Sequence, residues 1–151
     1  MKLKIVFKSD AVRDVYTTGD KKLAWESGNS CFDMRSAEDT FVLNPGDTRI
    51  VCSGIALQIE NDDSNVEWLI TSRSGMAKRG ILCHLGTIDY NYTGFGGVCL
   101  TNLSNEPLTI EFGDRIAQVK IVRIEKPEIE FVNELNKTDR GTDGFGSSGV
   151  K

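Results

Sequence analysis

Ten residues near the C-terminus, RGTDGFGSSG at 140–149, combine four glycines with one arginine, one phenylalanine and two adjacent serines. The glycines make the backbone too free to order itself. The other side chains can clamp a phosphate, stack on a ring and donate to anionic oxygens. That combination reads as a segment disordered alone that orders over a phosphorylated, ring-bearing ligand; the plain alternative is a flexible terminus. Four further islands carry chemistry. SCFDMRSAED at 30–39 sets Asp33 among apolar neighbours, as a turn or a buried ion pair would. Arg73-Ser74-Gly75 opens a short helix, where exposed N–H groups and a guanidinium fork attract anions or an ordinary cap forms. GTIDYNYTG at 86–94 has glycines at both ends, suited to the bends of a hairpin that a flat ligand could approach. Within it, Asp89 between Ile88 and Tyr90 suits a base acting on water, and the Tyr92 ring could lie against a sugar. FGDRIAQV at 112–119 runs from a turn into an apolar strand, with Asp114 and Arg115 placed to pair and Gln118 placed to face solvent.

The elements that must position these groups are nearly all strands. Lys2 to Phe7 alternates polar and apolar, and strand-like segments follow at 40–43, 48–52, 54–59, 66–72, 81–85, 97–102, 107–110, 115–124 and 128–132. Asn44-Pro45-Gly46-Asp47 is a turn signal. Residues 11–30 read as a long polar loop with one helical turn around Lys21 to Trp25. Only Ser74 to Arg79 reads as a helix, stopped by Gly80. The expected fold is all-β, a sandwich or barrel such as a jelly roll with one short helix. Composition shifts near Asn136, dividing a 1–136 barrel domain from a 137–151 C-terminal segment.

Composition narrows the functional classes. One domain fits 151 residues. Lys and Arg number 18 and Asp and Glu 22, so 18 − 22 = −4, and no basic stretch offers a groove for a nucleic acid polymer. An anionic ligand must be held by a few local cations, a metal ion or backbone N–H groups. Cys31, Cys52, Cys83 and Cys99 lack Cys-x-x-Cys spacing and His84 is the only histidine, which argues against a zinc site and against histidine-dependent nucleophilic catalysis. Reduced thiols, no signal-peptide pattern and no apolar run of membrane length lead to the expectation of a soluble, cytoplasmic protein.

Each island is modest, but their order and spacing resemble the five motifs of the trimeric dUTP pyrophosphatases (dUTPases), over about residues 30–149. GDRIAQ and GFGSSG are close to the family's spelling. The resemblance implies a distorted jelly-roll homotrimer with a flexible glycine-rich tail and three sites shared among subunits, hydrolysing dUTP to dUMP and pyrophosphate with Mg²⁺. By it, Asp89 activates the water that attacks the α-phosphorus, and Asp33 contacts the metal through water. Ser74 supports the leaving pyrophosphate beside Gly75, while Arg73 and Gln118 hold the phosphate chain. Gly86, Thr87 and Ile88 present main-chain groups to uracil, and Tyr92 stacks under the deoxyribose and rejects a 2′-hydroxyl. Arg140 meets the γ-phosphate, Phe145 covers the uracil, and Gly146, Ser147 and Ser148 wrap the phosphates. Cys31 stands where the family has glycine, and Asn91 and Thr93 where it has Asp and Arg. Two other readings stay open: a dCTP deaminase of the same fold, and a nucleotide-controlled regulatory module contacting a partner protein through residues 11–30.

Overall fold

The structure, a computed structural model, describes residues 1–18, 23, 28–60, 64–142 and 144. In chain order its elements are β1 (Lys2–Phe7), α1 (Asp10–Thr17), β2 (Phe32–Arg35), β3 (Phe41–Leu43), β4 (Thr48–Glu60), β5 (Val66–Thr71), α2 (Ser74–Lys78), β6 (Ile81–Cys83), β7 (Gly86–Ile88), β8 (Phe95–Asn102), β9 (Leu108–Ile110) and β10 (Arg115–Arg123). They form two four-stranded antiparallel sheets, ordered β1-β4-β8-β6 and β2-β10-β5-β7, and a two-stranded β3-β9 ribbon. The all-β, jelly-roll-like expectation therefore holds. Strict alternation on β5, buried at Val66, Trp68 and Ile70 and half-buried between, sets one face of its sheet into the core. Trp68 and Met34 reach Gly96 on β8 so closely that a Cβ there would lie 2.8 Å from the Met34 methyl.

Two expectations about β4 and its neighbours change. Segments 48–52 and 54–59 are one strand, irregular between Cys52 and Ala56, where Gly54 sits at φ +69°. The gap expected at Ser53 is instead a bulge next to Gly54 that bends a continuous strand. Residues 128–132 form no strand. They are exposed, and no described strand pairs with them.

A second helix is the larger correction. Residues 11–30 were read as loop, yet Asp10–Thr17 is helical, with the Ser9 hydroxyl accepting from Val12 N at 3.3 Å and Asp10 in the first turn. Its one buried stripe is the i,i+4 pair Val12 and Tyr16. Val12, Val15 and Tyr16 fall at i, i+3 and i+4, but eight residues are too few for that pattern to stand out among polar neighbours. The helical turn expected around Lys21 to Trp25 lies outside the described residues. Helix α2 ends as expected, with Gly80 at φ +75° just past the Arg79 cap. Asn44-Pro45-Gly46-Asp47 is a turn with Gly46 at φ +84°, closed by Asp47 N donating to Asn44 O at 3.0 Å.

Gly54 decides whether α1 can dock. A Cβ there would sit 2.6 Å from Ala37 Cβ and 2.8 Å from Val12 Cγ1, at a backbone angle that L-residues avoid. Gly54→Ala is therefore expected to cost at least about 2 kcal/mol, summing left-handed strain and overpacking; denaturant unfolding measures it, and a loss under about 0.5 kcal/mol would refute the packing account.

Burial also pushes the Cys83 thiol up to about 11. A thiol held protonated in the fold but free to ionise when unfolded stabilises below the unfolded value of about 8.5 and loses that contribution as pH rises toward 11. The melting temperature should fall over that window, less steeply in Cys83→Ala; equal slopes would exclude the thiol as a cause.

Candidate active site

Register builds the first half of the site. On β10, Gln118 pairs with Asp33 of β2 on one side and Thr71 of β5 on the other, so the three form one cross-strand row. Directly paired residues share a face of the sheet. Gln118 is half-buried rather than solvent-facing, and its Nε2 donates to Ser72 O at 2.9 Å. Two residues past the end of β5, Arg73 Nε donates to Asp33 Oδ1 at 2.7 Å and its Nη1 to Arg115 O at 3.2 Å. Arg115 Nη1 donates to Asp33 Oδ2 at 3.2 Å. The expected Asp114–Arg115 pair is thus not made: Asp114 Oδ2 accepts Glu111 N at 2.9 Å to close its turn, and Arg115 crosses the sheet to Asp33. Asp33 is the part-buried ion pair that its apolar setting allowed for.

Arg35 stands two residues beyond Asp33, buried, with Nη1 donating to Gly113 O at 2.8 Å. Burial lowers its pKa and the Asp33 carboxylate draws it back up. Two guanidiniums thus hold the Asp33 carboxylate, with that of Arg35 near enough to be influenced by its charge. Beside them a cleft of about 300 Å³ is lined by Arg73, Gly75, Arg79, Asp114 and Arg115 among others. Such a cleft recognises anions, and planar forks favour phosphate oxygens. Ser74 is exposed as the first residue of α2. At five residues α2 is too short to present the N-terminal dipole expected of it, so the attraction rests on side chains. Arg79 and Arg115 were not singled out as ligand-binding residues: Arg79 reads as an ordinary helix end, and Arg115 has a nearer carboxylate in sequence.

The second half lies at the other end of β5. Strand β7 pairs with β5, Ile70 against Gly86 and Trp68 against Ile88. It does not form a hairpin with β8, which belongs to the other sheet. A Cβ on Gly86 would lie 3.3 Å from Ile70 Cβ, so the close approach that suggested glycine's role is made to β5. Thr87 is exposed and Ile88 half-buried. Asp89 to Tyr92 is a tight turn, Tyr92 N donating to Asp89 O at 3.0 Å. The Tyr92 ring, 45% exposed, lies over Gly94, where any Cβ would collide with it, and its hydroxyl donates to Phe95 O at 3.3 Å. Asp89 is exposed and lines a cleft of about 280 Å³ with Glu67, Tyr90, Asn91 and Lys126. Lys126 is anchored there by donating to Ser64 O at 2.6 Å.

The two halves do not meet within one chain. Continuing the register, Asp89 falls beside Glu67, six residues from Arg73 along an extended strand, which is about 20 Å at 3.3 Å per residue. Arg140 belongs to a third, exposed part, in a turn where Gly141 N donates to Thr138 O at 3.0 Å. Phe145, Gly146, Ser147 and Ser148 lie outside the described residues. His84 takes no part in either cleft; its Nε2 bonds Thr101 Oγ1 at 2.8 Å.

A family model described as dUTPase matches residues 24–149. The chain belongs to the dUTPase family. It is 41% identical over 128 residues to a protein of Shewanella halifaxensis named deoxyuridine 5′-triphosphate nucleotidohydrolase, covering 82% of this chain and 83% of that one. A protein of the same name from Hydrogenobaculum sp. is 38% identical over 147 residues, covering 95% and 94%. Among solved structures, Staphylococcus bacteriophage 80alpha dUTPase with dUPNHPP superposes with a TM-score of 0.81 at 27% identity over 99% of each chain; that work describes phage dUTPases as controlling transfer of virulence genes. Helix α1 lies before the residues that the family model matches.

Asp33 and Arg73 are 29% and 22% exposed in their side chains, so their pairing is only partly screened. A double-mutant cycle of Asp33→Ala and Arg73→Ala should give a coupling of roughly 1–2 kcal/mol, above the surface-pair range. A coupling indistinguishable from zero would mean that the pair does not organise the cluster.

Proposed function

We propose that this chain hydrolyses dUTP to dUMP and pyrophosphate. The observation that carries the reading is the arginine cluster around Asp33, set in a chain of the dUTPase family at the positions its motifs mark. A water held and deprotonated by Asp89 attacks the α-phosphorus; the bond to the bridging oxygen breaks and pyrophosphate leaves with its electron pair. Arg73, Ser74 and Gln118 receive the phosphate chain, with Arg140 at its far end. Main-chain groups of Gly86, Thr87 and Ile88 meet uracil, and Tyr92 packs under the sugar and excludes a ribose. Phe145 through Ser148 close over the ligand, dividing a 1–136 core from a 137–151 closing segment.

Asp33 is suited to a hydrated Mg²⁺. Each of its oxygens accepts one guanidinium hydrogen bond, leaving lone pairs for metal-bound water. Among the described residues no cluster of three His, Cys, Asp or Glu offers a dedicated cage. That suits a cation carried mostly by substrate phosphates, where it neutralises charge.

Asp89 and Arg73 must act within a few ångströms of one phosphorus yet stand about 20 Å apart in one chain. The site therefore draws Asp89 from one subunit and Arg73 from another. The exposed arm after β10 supports the same assembly: Ile129, Phe131 and Leu135 are 77%, 96% and 87% exposed on their own chain and need a neighbour to cover them. The assembly we propose is the homotrimer with shared sites that the family resemblance implies. A second role rests on the 80alpha relative, which is described as a regulator. Residues 11–30 are the proposed contact for such a protein partner.

Pyrophosphate release across dUTP, dTTP, dCTP and UTP tests the substrate; preference for any other nucleotide refutes it. Asp89→Asn should keep dUTP affinity and lose at least about a thousandfold in kcat, the scale of a positioned base together with its water. Asp89→Asn and Arg73→Ala chains, each inactive alone, should recover activity when unfolded together and refolded as mixtures. No recovery would mean that each chain holds a whole site.

A further inference from the structure

Beneath the arginine cluster sits the helix that the family match does not include. Tyr16 of α1 is 1% exposed, and its hydroxyl lies between the main chains of β2 and β4. It accepts from Arg35 N at 2.7 Å and donates to Ser53 O at 3.0 Å. Arg35 is two residues from Asp33 on the same strand. The preceding residue, Val15, lies against Gly113, where a Cβ would be 3.2 Å from Val15 Cγ1. Gly113 is two residues before Arg115, and its carbonyl takes the Arg35 guanidinium. The same turn is stitched to β2 by Gly113 N donating to Ser36 O and Ser36 N donating to Asp114 O, both at 2.8 Å. One helix thus touches the backbone on either side of the Asp33–Arg115 ion pair.

We infer that Tyr16 is a positioning residue for the phosphate-binding arginines, its hydroxyl fixing β2 so that Asp33 holds Arg73 and Arg115 at the cleft. The groups facing that hydroxyl are the main-chain atoms of Arg35 and Ser53, with no charged side chain bonded to it. A buried phenol placed between a donor and an acceptor of different strands fixes their spacing in a way that packing alone does not. Tyr16→Phe keeps the ring and the helix seat but leaves Arg35 N and Ser53 O without that partner. Strand β2 can then relax away from the Gly113 turn, and the bridge between the two guanidiniums loosens.

The inference rests on the dUTP reading for its kinetic consequence only. With the full chain, Tyr16→Phe should raise KM for dUTP on the order of fivefold, the effect of one buried hydrogen bond, while kcat changes less than about twofold. Ile59→Val, a buried change on the far stretch of β4, serves as a control that lowers the melting temperature by a few degrees without touching the cluster. It should leave KM unchanged. Independently of any ligand, solvent exchange of the Arg73 Nε–H, followed by NMR, should quicken in Tyr16→Phe and not in Ile59→Val. If Tyr16→Phe matches Ile59→Val in KM and in exchange, the positioning role is overturned. If the wild type fails to hydrolyse dUTP while the Arg73 exchange still depends on Tyr16, the functional reading falls and the positioning role stands.

Discussion

The antiparallel register of β2, β10, β5 and β7 is the constraint on which the rest depends. It lines up Asp33, Gln118 and Thr71 across three strands, and it sends β7 back along β5 so that Asp89 finishes at the far end. A slip of one residue would turn Asp33 and Gln118 to the other face and bury them. Fixing that register falls to the core face of the same strands, where Val66, Trp68, Ile70, Ala117 and Val119 are almost wholly enclosed. Each fully buried large side chain contributes roughly 1.5–3 kcal/mol, so a slipped register forfeits several of them together. Packing on one face thereby decides where chemistry appears on the other.

The same constraint forbids a complete site in one chain. A strand is stiff and extended, so groups at its two ends cannot converge on one phosphorus without a second copy. An exposed apolar arm and a glycine-rich end fit that economy. In the proposed assembly the barrel supplies rigid half-sites, and the exposed segment beyond β10 is free to reach across subunits.

Much of this was legible in the residues. Alternation marked most strands, Pro45-Gly46 and Gly80 marked turns through their backbone preferences, and the motif order marked the family. What escaped notice shares a physical cause. Helix α1 shows only two buried residues, because most of its stabilisation comes from a cap and from tertiary contacts of Val12 and Tyr16. The Arg115–Asp33 pair joins residues 82 positions apart, and local sequence offered the wrong partner in Asp114. Strands β2 and β7 are four and three residues long, too short for a period to register. The expected strand at 128–132 had the right composition but has no described neighbour to pair with.

Net acidity makes the arginine cluster more informative. A chain of formal charge −4 places Arg73 and Arg115 on a single carboxylate, with Arg35 two residues along the same strand and Arg79 on the adjoining cleft. Three guanidiniums held this close repel one another, and Arg35 is buried besides, so one carboxylate does not neutralise the set. An excess of positive charge kept at a stability cost marks a place prepared for an anion.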